Sequence, residues 1–221
     1  VKPKTLLIFG ARKKSIGDGV RKMWTDMFDG EAITAGISGE EEFTINLSDT
    51  DEVKALIEKV QPDHILCTVG RNETLEEFSG HLEPWLADHF DTNVIIPMSI
   101  LSAWLEVGAP DNGHFVVVSS NSAHIPRSGS MAYCSTKAAL SMAIRCAARD
   151  LQKAEMGPVV YGWEPGLVKG TPMSAESNGT RMLGLPQGIG RRALAHQIVG
   201  ALGFGGAEYS GVLVRLDNGE V

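Results

Sequence analysis

Short apolar runs alternate with helical patterns along this chain, and that alternation limits the folds open to it. Thr5 to Phe9, Glu31 to Ile37, Phe43 to Leu47 and His64 to Val69 read as strands. So do the run through Val116, Val117 and Val118, ending at Ser119 and Ser120, then Val159 to Trp163, and finally Gly211 to Leu216. Helical patterns separate them. One runs from the loop Gly10 to Gly19 through Met27; another is capped by Asp49 or Thr50, reaches about Val60 and is ended by Pro62. Trp85 to about Val107, Tyr133 to about Lys153 and Arg191 to Leu202 complete the set. Nearly continuous apolar strands joined by helix-length connections belong in a parallel sheet buried on both faces. The expectation is one α/β domain over residues 1–221: a doubly wound parallel sheet with helices on both faces.

Composition narrows the functions. Hydrophobic residues make up 43% of the 221, enough for a sizeable core. No apolar run approaches the ~20 residues of a membrane span, and the run within VKPKTLLIFG is too short for a signal-peptide core. The net charge of −7 argues against general nucleic-acid affinity. Cys67, Cys134 and Cys146 lack metal-ligand spacing, so no metal site is expected, and three thiols with no export signal suggest a cytoplasmic protein. His64 and His81 show no identifiable partners and read as ordinary polar residues.

Two stretches carry chemistry. The first is GARKKSIGDG, Gly10 to Gly19, set between a strand and a helix. A glycine there permits a tight turn, and the helix N-terminus offers free N–H groups and a positive dipole end to a pyrophosphate. The second is SNSAHIPRSGSMAYCSTK, Ser120 to Lys137. Tyr133 and Lys137 lie four apart, hence on one helix face, and Ser120 ends a strand that opens on the same crevice. Ser119, Ser120 and Ser122 compete as the hydroxyl that meets them. In the helical pattern before this strand, Pro97 cannot donate to the Asn93 carbonyl, so a bend is expected at Asn93.

Ser120, Tyr133 thirteen residues later, Lys137 four after that, and Asn93 upstream resemble the catalytic set of the short-chain dehydrogenase/reductase family. The resemblance implies a Rossmann-type fold and hydride transfer between a nicotinamide dinucleotide and a carbonyl or secondary alcohol. It assigns the carbonyl oxygen to Ser120, acid–base work to Tyr133, the ribose to Lys137, and a water bound through the main chain to Asn93. It places the dinucleotide against Gly10, Ser15, Ile16, Gly17, Asn46, Leu47 and Gly70. The nicotinamide falls against Pro165, Gly166, Val168 and Thr171, from EPGLVKGT. Departures exist. Phe9 stands for the family's Thr, the glycine loop is one residue longer with Ser15 at the middle Gly, and Thr68-Val69-Gly70 replaces the end of N-N-A-G.

Arg12, Lys13 and Lys14 are three consecutive cations where a 2′-phosphate would lie, and Ser38 replaces the acid that holds ribose hydroxyls in NAD-preferring sites. NADP(H) is expected over NAD(H), with Glu40, Glu41 and Glu42 just beyond as an opposing charge. Ser122, His124, Trp163 and Met173 are candidates for the substrate pocket, and Ser174 to Gly190 for a short lid. The family resemblance further implies a homodimer or homotetramer. Two other readings remain: a non-catalytic dinucleotide sensor or scaffold, and a related enzyme such as an enoyl reductase or epimerase.

Overall fold

Five consecutive buried residues, Thr5–Phe9, form β1, and their alternation sets the architecture. Leu6 and Ile8 pack into one core, Leu7 and Phe9 into a second on the opposite side. A strand buried on both faces needs a cover on each. The computed structural model describes residues 4–73, 82–173, 188–204 and 209–216 and supplies both covers. Helices α1 (Ile16–Phe28) and α6 (Arg191–Phe204) lie over the first core, through Val20, Trp24, Leu194 and Ile198. Helices α2 (Thr50–Val60), α4 (Ile96–Val107) and α5 (Met131–Lys153) lie over the second, through Val53, Ile57, Ile100, Trp104, Leu140 and Ile144. The remaining helix, α3, is Leu82–Phe90.

The other strands of the sheet are β2 (Glu31–Gly36), β3 (Phe43–Thr44), β4 (His64–Cys67), β5 (His114–Val118), β6 (Val159–Pro165) and, last in the chain, β9 (Leu213–Leu216). All seven run parallel in the order β3-β2-β1-β4-β5-β6-β9. The chain winds outward from β1 in one direction through β3, then restarts at β4 and winds the other way. The connections therefore diverge between the carboxyl ends of β1 and β4, leaving a crevice there. A two-stranded ladder, β7 (Val168–Lys169) with β8 (Ile189–Gly190), flanks the segment between them. Of the expected lid, positions 174–187 lie outside the described residues, as does His81.

The expected strand Phe43 to Leu47 stops at Thr44. Asn46 ends it: its side-chain carbonyl accepts Ser48 N–H at 3.1 Å, and its own N–H goes to the Glu52 carboxylate at 2.8 Å. The expected long helix around Asn93 divides at a π turn, Asp91–Ile95, between α3 and α4. Pro97, at the second position of α4, withholds the N–H that the Asn93 carbonyl would take in a regular helix.

His64 is not the unpartnered polar residue that the sequence suggests. It is fully buried at the start of β4, where its Nδ1 accepts the His114 N–H at 3.1 Å. Its ring meets those of His114 and Trp24 edge-on at 5.0 and 5.8 Å. Its Nε2 has no hydrogen-bond partner among the described residues. Burial pushes the imidazole down to about 3, with the charges of Lys4 and His114 acting the same way. The unfolded chain takes up this proton near pH 6.5, while the folded chain resists it. Stability is therefore whole above pH 6.5 and declines as pH falls toward 3, by about 1.4 kcal/mol per pH unit. Urea unfolding at pH 7 and pH 5 should show a loss in wild type that His64→Leu largely removes. Equal losses in both would exclude His64 as the source.

Candidate active site

Three elements converge on the crevice, each for a local reason. Gly10, directly after β1, has φ of +86°, a conformation open to glycine, and a side chain there would lie 3.0 Å from Val69 N. Gly17 in α1 packs the helix onto the sheet; a Cβ would stand 3.0 Å from atoms of Ala11, Ile8 and Thr68. Thr68 stands in for the absent Asn. Its hydroxyl reaches Gly10 O at 2.8 Å and Phe9 O at 3.1 Å, joining the ends of β4 and β1.

Two adjoining clefts open there. The outer one is lined by Gly10, Arg12, Ser15, Ile16, Ser38, Asn46, Leu47 and Gly70 among others. The inner one is lined by Ser120, Ser122, Tyr133, Lys137, Pro165, Gly166 and Val168, and Ile16, Gly70, Thr171 and Met173 border both. The shape suits a long ligand laid across the sheet's carboxyl edge. No side chain at Gly70 crowds the path: a Cβ would sit 3.4 Å from Lys137 Nζ.

Tyr133 and Lys137 share one face of α5, with Lys137 Nζ 5.7 Å from the phenol ring centre. Lys137 is buried and donates to Val118 O at 3.0 Å. Burial lowers its ammonium to about 8. The Tyr133 phenol shifts the other way. Burial raises it, the nearby Ser120 hydroxyl pulls it partly back, and Cys134 and Arg127 add smaller opposing effects. The net shift is upward, because desolvation acts on the phenolate directly.

Among the competing hydroxyls, tertiary contacts decide. Ser119 turns away, bonding Lys137 O at 3.2 Å and Ser141 Oγ at 2.9 Å. Ser122 accepts from Arg127 Nε at 2.9 Å. Of the three, Ser120 lies near enough to the phenol to act on its proton affinity, and it accepts the Ser122 N–H at 3.1 Å. Asn93 is buried and borders neither cleft directly. Its side chain clamps Arg71, accepting its N–H at 2.7 Å and donating to its carbonyl at 3.0 Å, and also donates to Thr136 at 2.9 Å. It fixes the loop after Gly70 against α5.

Other candidates fall elsewhere. The His124 imidazole pairs with the buried Glu164 carboxylate at 2.7 Å, and Trp163 is buried in the α1–α6 core, so neither lines the inner cleft. Lys13 and Lys14 are exposed beyond the outer cleft, and only Arg12 of the three cations lines it. Ser15 Oγ caps α1, accepting Asp18 N–H at 3.2 Å and donating to Gly10 O at 3.3 Å. The Ser38 hydroxyl donates to Glu41 at 2.6 Å. Glu41 lines the outer cleft over Gly36, where a Cβ would stand 2.6 Å from its carboxylate. An acid thus returns to the end of β2 from five residues downstream, a placement that strand periodicity does not reveal. The described residues hold no group of three His, Cys, Asp or Glu able to bind a metal, and no helix among them is long and apolar enough to cross a membrane.

Comparison with known proteins bears on the fold and the family. A short chain dehydrogenase family model matches residues 34–182. A short chain dehydrogenase family protein from Francisella tularensis subsp. tularensis SCHU S4 superposes with a TM-score of 0.81 at 18% identity, covering 98% of each chain. Aldohexose dehydrogenase from Thermoplasma acidophilum gives 0.80 at 16%, covering 98% of this chain and 93% of its own. BdcA in complex with NADPH gives 0.77 at 21%, with the same coverages of 98% and 93%. No relative among curated proteins matches. These structures share the fold, and with the family match over two thirds of its length, the chain belongs to the short-chain dehydrogenase/reductase family.

Proposed function

We propose that the chain is a carbonyl reductase, using NADP(H) in preference to NAD(H) on a small-molecule carbonyl or the corresponding secondary alcohol. The observation that carries this is the convergence of Ser120, Tyr133 and the Lys137 ammonium on one cleft, at the inner end of a crevice with a glycine-lined outer arm. The residues present fit a dinucleotide. Gly10, Ile16 and Gly70 would hold its phosphates and inner ribose, Lys137 the ribose hydroxyls, and Pro165, Gly166, Val168 and Thr171 the nicotinamide. A reduced nicotinamide, when bound, supplies a hydride to the carbonyl carbon. The developing charge on oxygen then needs a proton and a hydrogen bond. Tyr133, held protonated by burial, gives the proton, and Ser120 keeps the oxygen in place. In oxidation the same two groups act in reverse.

Cofactor choice turns on two of the charges lining the outer cleft. Arg12 favours a 2′-phosphate, and Glu41 repels one. We expect NADPH to bind at least 10-fold more tightly than NADH. Arg12→Ala should remove most of that preference, and Glu41→Gln should widen it. Fluorescence titration with each cofactor measures all three proteins. Tighter NADH binding by wild type would overturn the preference, and binding of neither would overturn the reductase reading.

Met142 on α5 and Ile95 at the π turn expose large apolar side chains, supporting a homodimer or homotetramer through these helices. The thiols of Cys67, Cys134 and Cys146 are all free, which supports a cytoplasmic setting. The continuous seven-stranded sheet supports a single domain.

A further inference from the structure

Arg127 lies between Ser120 and Tyr133 in sequence and lines the inner cleft with both. Its guanidinium is anchored on the short turn that follows β5. Nε donates to Ser122 Oγ and one terminal nitrogen to Asn121 Oδ1, each at 2.9 Å. Both acceptors belong to the 3₁₀ turn Asn121–Ala123, whose N-cap is Ser120. The cation therefore moves as one piece with the hydroxyl that meets the phenol.

A guanidinium has five N–H donors in a planar fork. Two are engaged here, leaving three at the end of the fork. No carboxylate of the described residues pairs with Arg127, although the chain carries 27 acids against 20 lysines and arginines. Among the described residues the surrounding lining adds Asn72 and Ser130, neutral polar groups that do not offset the positive charge. An arginine fixed by neutral acceptors, with its planar end unused, suits a planar anion.

We propose that Arg127 binds a carboxylate on the substrate, so that the carbonyl compound reduced here is an oxo acid. This rests on the reductase reading and narrows its substrate class. The substrate's carbonyl oxygen meets Ser120 and Tyr133, while its carboxylate takes the end of the Arg127 fork. Recognition by a charged fork also discriminates against neutral analogues, because the half-buried guanidinium gains a charge-assisted pair only from an anion.

The test compares short 2-, 3- and 4-oxo acids with their methyl esters, under saturating NADPH and separately NADH. Wild type should favour at least one acid over its ester by about 10- to 100-fold in kcat/KM. Arg127→Met should abolish that preference, lowering acid turnover at least 10-fold more than ester turnover. Arg127→Lys, which keeps the charge without the fork, should recover part of it. Circular dichroism melting checks that each variant folds. Calorimetric binding of the same acids to the protein–NADP⁺ complex gives a readout that needs no turnover. Acid binding lost in Arg127→Met without any turnover supports the anion site and counts against the reductase reading. Esters and acids reduced equally well by wild type would overturn the anion site and leave the reductase reading standing. Absence of acid binding as well as turnover overturns the anion site.

Discussion

Tyr133→Phe is expected to lower kcat/KM for carbonyl reduction by about 10³-fold, the range of a lost general acid. The ring stays, so α5 should pack as before. Among the described residues the lost hydroxyl lies near Ser120, which still accepts the Ser122 N–H, so stability should change by no more than about 1 kcal/mol. Dinucleotide affinity should also hold, because the variant keeps Lys137 and every glycine of the crevice. The two directions of reaction should differ in pH dependence. Burial raises the phenol, so the protonated donor needed for reduction persists through neutral pH, whereas oxidation needs the phenolate and should climb with alkalinity. Steady-state rates in both directions, with thermal melting of the same preparation, give the comparison. Activity within 10-fold of wild type would remove Tyr133 from the mechanism.

Lys137→Met should abolish turnover by at least about 10²-fold while raising Tm by several degrees. The ammonium is buried, with one carbonyl, Val118 O, as its hydrogen-bond acceptor. Its folded value of about 8 lies below the ordinary 10.5. The sign follows from that order. Folding disfavours the charged form, so the penalty is full below about pH 8, shrinks between pH 8 and 10.5, and vanishes above. At neutral pH it is on the order of 3 kcal/mol. Methionine fills a similar volume without the charge, and removing a buried charge held for function commonly stabilises. The Tm difference between variant and wild type should therefore narrow as pH rises from 7 to 10. A fall in Tm at neutral pH would show instead that the ammonium is a net structural contact.

Where chemistry is local, the chain spells out its structure. β1 spans Thr5–Phe9, the limits its apolar run suggests, because all five residues are buried in the sheet. Asp49 caps α2 by accepting from the N–H groups of Asp51 and Glu52, three residues within one turn. Pro97 announces a break near Asn93 for the same reason. Its form as a π turn does not follow, since the Asn93 side chain answers to Arg71 and Thr136, 22 and 43 positions away.

The site divides along the same line. The sequence by itself determined a parallel sheet wound both ways, a glycine turn before α1, and Tyr133 and Lys137 on one helical face. Those depend on periodicity, on left-handed backbone and on a fixed rise per residue. Only the tertiary structure decided that Ser119 turns to Lys137 O and Ser141, that Arg12 alone of three cations lines the cleft, and that Glu41 comes back over Gly36. It also decided that His124 goes to Glu164 while Arg127 faces the reacting groups. Each of these is a choice of partner by a side chain on a strand end or loop. Backbone geometry does not constrain that choice. Packing against residues distant in sequence makes it.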